Sequence, residues 1–500
     1  MLLVPTLESR LDYGHLWTPR SAARELVLRE PQVPMVDWLM SHKRCGLWAG
    51  MGIGKTSATM YVLDQLMKRG EIDRRNPTLV IGPMRVARDT WPEEATKWTQ
   101  FQHLRIVPIV GTPHERVALL ADRSADIYTI SYELAPWLVD QWLEKWPYRI
   151  VIADESDRLK GYREKGGKKS TSAGVGNNRA GKSGKRAHAL SRVAHNLTDR
   201  WINLTGTPAS AGLKDLWGQT WYLDRGKRLG FTYTAFKDRW FRQKWSGFGI
   251  EPMPNATSEI PGLIRDIYLT VNPKDYFNLQ APIHTRLEFD LPAKARTIYK
   301  KLEDESYAEI EELGTSINAV NAAALTQKLL QAANGAVYTE RPEWVELHDR
   351  KLEILDSVVS EASGSPVLVS YAFQSDKHRI LKWFGKQAMD ISTPQGLKAF
   401  KTGNIRVGVA HPKSMGHGID GLQNVCNKIA FFGHDWKTGE RMQIIERVGA
   451  MRQFQIGRTD GMFIYDIVAR GTEDENVMKV HHENQSVQDV ILASANRRRR

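Results

Sequence analysis

Short, nearly continuous apolar runs alternate with amphipathic stretches along this chain, and the alternation occurs twice. In the first half Cys45–Trp48, Thr78–Ile81, Ile127–Ile130, Arg149–Ile152 and Trp201–Leu204 read as strands. Between the first of these, Ser57–Lys68 and Arg85–Trp98 carry apolar residues at helical spacing, the second starting after Pro83. Strands without polar alternation are buried on both faces, and helices between them supply the crossovers of a parallel sheet. From about Leu213 to Pro282 the pattern turns irregular and rich in Trp, Tyr, Phe and Pro, as in a helical insertion with a linker. Ala293–Glu312 and Asn318–Ala333 are good helix formers, after which strands return at Val367–Ser370, Ile405–Val409, Lys428–Phe432 and Met462–Val468. The expected fold class is α/β. Two lobes, each a parallel sheet flanked by helices, span residues 1–225 and 291–490, with a helical insertion and linker at 226–290 and a basic tail at 491–500.

Placed on these elements, one run stands out: Ala49-Gly50-Met51-Gly52-Ile53-Gly54-Lys55-Thr56 follows the first strand and opens the first helix. Small residues let backbone N–H groups approach an anion, and the helix N-terminus adds a favourable dipole. In such a loop Gly50, Gly52 and Gly54 shape the cradle, Lys55 reaches the β- and γ-phosphates, and Thr56 holds Mg²⁺. The first position is Ala49 where the strict pattern has Gly. A second run, Arg149-Ile150-Val151-Ile152-Ala153-Asp154-Glu155-Ser156-Asp157, ends an apolar strand in adjacent carboxylates. Asp154 there suits Mg²⁺ held through water, and Glu155 suits the positioning of an attacking water, which is most of what phosphoryl transfer asks of a protein. Asp157 fits either the same network or an ordinary turn.

Composition narrows the class. With 41% hydrophobic and 25% charged residues over 500 positions, the chain is a soluble globular protein of two or three domains. No apolar run approaches a membrane span, and Met1–Arg10 lacks the layout of a secretory signal. Two cysteines, Cys45 and Cys426, make neither a disulfide framework nor a metal cluster, and a reducing cytoplasm is the expected setting. Of the net charge of +13, the segment Lys160–Arg192 carries ten Lys/Arg against one Glu, and Arg497–Arg500 supply the rest. Uneven basic charge suits a polyanion partner, and equally a solvated spacer. Gly161–Gly184, with seven glycines and little to bury, reads as a flexible insertion (161–190 at its widest). Most of the sixteen tryptophans are expected to pack cores, Trp91 and Trp98 sharing one helical face; His481-His482 is expected to be exposed, and the fourteen histidines show no metal-binding spacing.

Together the segments resemble the Swi/Snf-type ATPases of helicase superfamily two, in order, from about Leu28 to Val477. Leu28-Arg29-Glu30-Pro31-Gln32 with Val36-Asp37-Trp38-Leu39 resembles the family's adenine-reading segment, which implies that Gln32 recognises the base. Pro83 with Trp91, Glu94 and Trp98, and Ser131-Tyr132-Glu133, resemble segments on the nucleic-acid side. Leu204-Thr205-Gly206-Thr207-Pro208, followed by Asp215-Leu216-Trp217, resembles the segment coupling hydrolysis to lobe movement. In the second lobe Lys351-Leu352 fits. Ser414-Met415-Gly416-His417-Gly418-Ile419-Asp420 resembles the Gly-rich segment that places Gly418 and Asp420 at the nucleotide. Gln443-Ile444-Ile445-Glu446-Arg447 with Arg452-Gln453 resembles the arginine-finger segment, and Gly471-Thr472-Glu473-Asp474-Glu475 the closing one.

The resemblance implies two RecA-like lobes with the ATP site between them, ATP and Mg²⁺ as ligands, and double-stranded DNA as the partner of a monomeric motor that translocates. A strand-separating DNA or RNA helicase is the alternative within the same class, and an idle nucleic-acid-binding scaffold the alternative outside it; the intact Lys55, Asp154, Glu155 and Arg447 speak against the scaffold. Three departures stand out. Asp157 replaces the family's usual His, Arg452 lies two residues beyond the usual place of the second arginine, and the Lys160–Arg192 region is long. The second of these, with Leu291-Pro292-Ala293-Lys294 and Asn334-Gly335-Ala336-Val337-Tyr338, resembles the phage and bacterial branch. Arg447 or Arg452 then serves as the finger.

Overall fold

The computed structural model describes residues 23–50, 52–163, 182–243, 250–312, 319–339, 343–415, 419, 421–458 and 460–495. Most of the basic insertion (164–181), Gly416, His417, Gly418, Asp420 and the tail 497–500 lie outside the described residues. The chain divides into two compact units, the first made of 1–206, 215–271 and 494–500, the second of 207–214 and 272–493. Each is an α/β unit built on its own parallel sheet.

The first unit carries strands β1 (Arg44–Ala49), β2 (Thr78–Gly82), β3 (Ile106–Pro108), β4 (Ile127–Ser131), β5 (Ile150–Asp154) and β6 (Arg200–Thr205). Every residue of β2, β4, β5 and β6 is buried, as expected of strands covered by helices on both faces. The segment read as insertion and linker is more regular than its composition suggests. It holds helices Leu216–Asp224, Tyr233–Trp240 and Ala256–Ile264, the hairpin β7 (Phe241–Gln243) and β8 (Ile250–Pro252), and β9 (Tyr268–Val271), the seventh strand of the first sheet. The sheet order is β3-β4-β2-β5-β6-β1-β9, with every pair parallel. Gly46 makes the last pairing possible: a Cβ there would fall on the Tyr268 ring, which stacks on Trp48 with centroids 4.2 Å apart. The aromatic richness of 213–282 is explained by packing, since Trp217, Trp221 and Tyr222 bury their rings around Tyr162.

The second sheet takes β10 (Ile283–Phe289), β13 (Val367–Ser370), β14 (Ala388–Asp390), β15 (Val407–Ala410), β16 (Lys428–Phe431) and β17 (Phe463–Ala469), while β11 (Ala336–Tyr338) and β12 (Trp344–Glu346) form a separate hairpin. Its order is β10-β17-β16-β13-β15-β14, again all parallel. The two-residue strand period sorts side chains into two cores: Val367, Val369, Val407 and Val409 enter one, Leu368 and Ile429 the other. A buried polar node ties helices of this unit to one another. Lys351, with no exposed surface, pairs with Asp474 (Nζ–Oδ2 2.6 Å) and donates to Asn334 Oδ1 (2.8 Å), and Asn334 Nδ2 donates to Asp376 (2.9 Å). His481, expected to be exposed, is buried: it lies on the inner face of the helix Glu473–Ala495, its Nδ1 2.9 Å from Thr438 Oγ1, whereas His482 on the next position is exposed. Among the described residues no helix is long and apolar enough to cross a membrane.

Candidate functional site

In the first unit β1 ends at Ala49, and the loop enters the helix Lys55–Lys68 through Gly54 at φ +93°, with Gly52 at φ +77°. These angles suit glycine, and a Cβ on Gly54 would lie 2.5 Å from Gln32 Nε2 and 2.6 Å from Arg29 Nη2. The loop is thus walled by Arg29 and by Gln32, the first residue of the helix Gln32–Ser41. Gln32 is buried with both ends of its amide engaged: Oε1 accepts the Arg29 N–H (2.9 Å), and Nε2 donates to Ser57 Oγ (2.9 Å) and Gly54 O (3.1 Å). Lys55 Nζ reaches back to Ala49 O (2.6 Å) and Gly50 O (3.2 Å), closing the loop around its own ammonium.

Asp154 stands at the end of β5, separated from β1 by β6. Both of its oxygens accept hydrogen bonds, Oδ1 from the Glu155 N–H (3.1 Å) and Oδ2 from the Trp91 indole N–H (3.0 Å). Burial pushes the Asp154 carboxyl above its ordinary value, opposed by the Trp91 hydrogen bond and the Lys55 ammonium. Glu155 takes the left-handed region at φ 55°, uncommon for a residue with a side chain and concentrated at functional positions. Its turn runs on as Ser156–Gly161. There burial pushes Asp157 up, countered first by Lys160, and Lys160 pairs with Asp215 (3.1 Å) at the start of the helix Leu216–Asp224.

The structure therefore brings Gln32, Gly50, Gly52, Gly54, Lys55, Asp154 and Glu155 to the carboxyl edge of one sheet, where open parallel sheets bind ligands. Thr56, one residue into the helix, joins them. The set fits a magnesium nucleotide: a loop with two glycines at positive φ, an ammonium resting on backbone carbonyls, and a buried carboxylate lie together. The sequence puts Trp91 in a segment resembling one on the nucleic-acid side and, by its spacing from Trp98, on a shared packed face, with nothing to tie it to Asp154. Instead Trp91 opens the helix Trp91–Lys97 and is fully buried, while Trp98 is extended and donates to Glu94 (2.9 Å). In the second unit Arg447 ends the helix Thr438–Arg447 and donates to Ile419 O (2.9 Å), and Arg452 is half-buried on Ala450–Gln455. Gln453 ties that short helix to Cys426 O (2.8 Å) and Val448 O (2.9 Å).

A phosphate loop beside strand-end carboxylates, in the first of two RecA-like units, defines a P-loop nucleotide-binding protein. The SNF2-related domain family matches residues 32–334, and the chain belongs to that family, whose members are ATP-hydrolysing, DNA-dependent motors. Protein p41 of Acyrthosiphon pisum secondary endosymbiont phage 1 is 41% identical over 93% of this chain and 97% of its own length. The Danio rerio chromodomain-helicase-DNA-binding protein 1-like is 29% identical over 27% of this chain and 13% of its own length. A solved structure, the Sulfolobus solfataricus SWI2/SNF2 ATPase core in complex with dsDNA, aligns over 95% of both chains at 19% identity and a TM-score of 0.41.

Proposed function

We propose that this protein is a DNA-stimulated ATPase that moves along double-stranded DNA without sustained strand separation, working as a monomer in the cytoplasm of a bacterium or a phage-infected host. The observation that carries the reading is the assembly of Lys55, Asp154 and Glu155 around a loop whose Gly52 and Gly54 take positive φ. Lys55 and the loop N–H groups hold the β- and γ-phosphates, and Thr56 and Asp154 hold Mg²⁺. The ion neutralises phosphate charge when bound. Glu155, on a turn that projects it from the strand end, orients the attacking water. Gln32 joins the base to the loop, since its amide already touches Gly54 and Ser57. The family resemblance implies that Arg447 or Arg452 supplies positive charge to the γ-phosphate; Gly418 and Asp420, which it also implies for the nucleotide, lie outside the described residues.

DNA as the partner is supported by family membership, by the words "DNA-binding" in the name of the Danio rerio relative, and by the concentration of basic charge at Lys160–Arg192 and Arg497–Arg500. The test compares ATP turnover with double-stranded DNA, single-stranded DNA and RNA, alongside triplex-displacement and strand-displacement assays. Double-stranded DNA is expected to stimulate most, less so as salt rises and phosphate contacts are screened, with triplex displaced and duplex left paired. Equal stimulation by RNA, or efficient strand separation, would move the assignment to a conventional helicase.

A further inference from the structure

Trp91 reaches Asp154 because of an irregularity in the backbone. The segment entering it, Val86–Thr90, is a π-helix, and the Trp91 N–H closes its wide turn on Val86 O. Pro92 follows and has no N–H to offer the carbonyl four residues back, so an α-helical ladder cannot run through this point. One extra residue in a turn rotates everything after it by about 100° relative to a plain α-helix. That rotation, together with the anchoring of Ala87 O by the Thr129 hydroxyl on β4, turns the indole inward to the end of β5. Single π turns of this kind recur where a side chain must be aimed.

What the indole is aimed at is a carboxylate with little water to stabilise its charge. Asp154 is 6% exposed and Trp91 is fully buried, so their 3.0 Å hydrogen bond is shielded from competition by solvent. An indole N–H is a donor only: it cannot ligate a metal, accept the carboxyl proton, or exchange roles with a ligand. It fixes Oδ2, the Glu155 N–H fixes Oδ1 from the other side, and the carboxylate plane is set before any ligand arrives.

We propose that Trp91 is a positioning residue for the metal-binding carboxylate, its indole N–H orienting Asp154 toward Mg²⁺. The inference rests on the assignment of Asp154 to the metal. It makes Trp91 the link between the segment Pro83–Trp98, which the family resemblance puts on the nucleic-acid side, and the nucleotide's metal. Outer partners that orient a ligand are worth roughly 10- to 100-fold in metal affinity, and that is the size of effect expected here.

The experiment uses the full chain with Trp91→Phe and, to keep the bicyclic shape, with 3-benzothienylalanine at position 91, where sulfur replaces N–H. Binding of a fluorescent ATP analogue is titrated with Mg²⁺, ATP turnover is measured beside it, and melting is followed by circular dichroism. Both replacements are expected to bind the analogue as the parent does without metal, to require 10- to 100-fold more Mg²⁺ for half-maximal enhancement of binding, and to lose turnover that excess Mg²⁺ partly restores. If the parent binds and hydrolyses Mg²⁺–ATP while the benzothienyl protein keeps the parent's Mg²⁺ dependence, Trp91 is a packing residue and the inference is overturned. A parent that shows no Mg²⁺-dependent nucleotide binding would instead remove the functional assignment on which the inference rests.

Discussion

The two units share one architecture, and the lysine of the glycine loop in the first is held differently from a buried lysine of the second. In the first, Lys55 rests on the carbonyls of its own loop and Asp154 is a carboxylate held ionisable by one indole N–H and one amide. In the second, Lys351 is matched by Asp474 at 2.6 Å and by Asn334, and Asp376 completes the chain of contacts, accepting from Asn334 and from the Ala372 and Phe373 N–H groups. A charge held by backbone groups can be handed to a ligand at little cost. A charge locked into an ion pair cannot, and its partner is stranded if it is removed. The first arrangement suits the proposed ligand site, the second a structural rivet.

The comparison breaks most sharply at Lys55 and Glu155. Lys55→Ala is expected to abolish turnover and weaken nucleotide binding, and Glu155→Gln to keep ATP bound but unhydrolysed, both with melting close to the parent; turnover by Glu155→Gln near the parent rate would remove it from the site. Next in size is the finger. Loss of Arg447, whose spacing from Gln443 fits the family pattern, should cut turnover on the order of 10³-fold with ATP affinity kept, and Arg452→Ala should do less. The reverse ranking would reassign the role. Lys351→Met sharpens the contrast from the other side: it should destabilise the second unit by about 3–5 kcal/mol in a denaturant titration, because Asp474 is left buried without its cation.

The smallest expected effect is one of pH. Burial holds the His481 imidazole down to about 3, with Arg441 and His434 adding to the depression and Asp466 opposing it; His348 is held at about 4, and His434, His411 and His284 are lowered as well. All five belong to the second unit, against His195 (about 4) in the first. A histidine depressed in the folded state binds its proton more readily when unfolded, near 6.5, so stability falls as pH drops below that value and continues to fall toward the folded pKa. The second unit should therefore melt ahead of the first between about pH 6 and 4. Unit-specific hydrogen exchange across that range checks it, and simultaneous loss of both units would count against the contrast.

The strands legible in the sequence were those buried on both faces, where apolar residues run on without a break. Those passed over lie at edges or are short. β10, Ile-His-Thr-Arg-Leu-Glu-Phe, alternates because one face is wet, and β9 was hidden among prolines and aromatics that read as irregular. The phosphate loop and the acidic pair were legible because their chemistry depends on contiguous residues. Trp91 was not, since its direction is decided by a π turn that no spacing rule anticipates. Lys351 and Asp474 lie 123 positions apart, and the burial of His481 depends on which face of a long helix meets the sheet; neither distance nor face is written locally.

The placement of β17 has a consequence for how the polypeptide is made. All seven strands of the first sheet are synthesised by residue 271, while the ribosome is still translating the rest. The second sheet has no such luxury: β10, among its earliest segments, pairs only with β17, whose residues emerge about 180 positions later. Until then β10 has no neighbour and β16 shows an open flank, the kind of exposed edge on which nascent chains associate. Any fragment terminated before Phe463 would pair a foldable nucleotide lobe with an unfinished, adhesive second half.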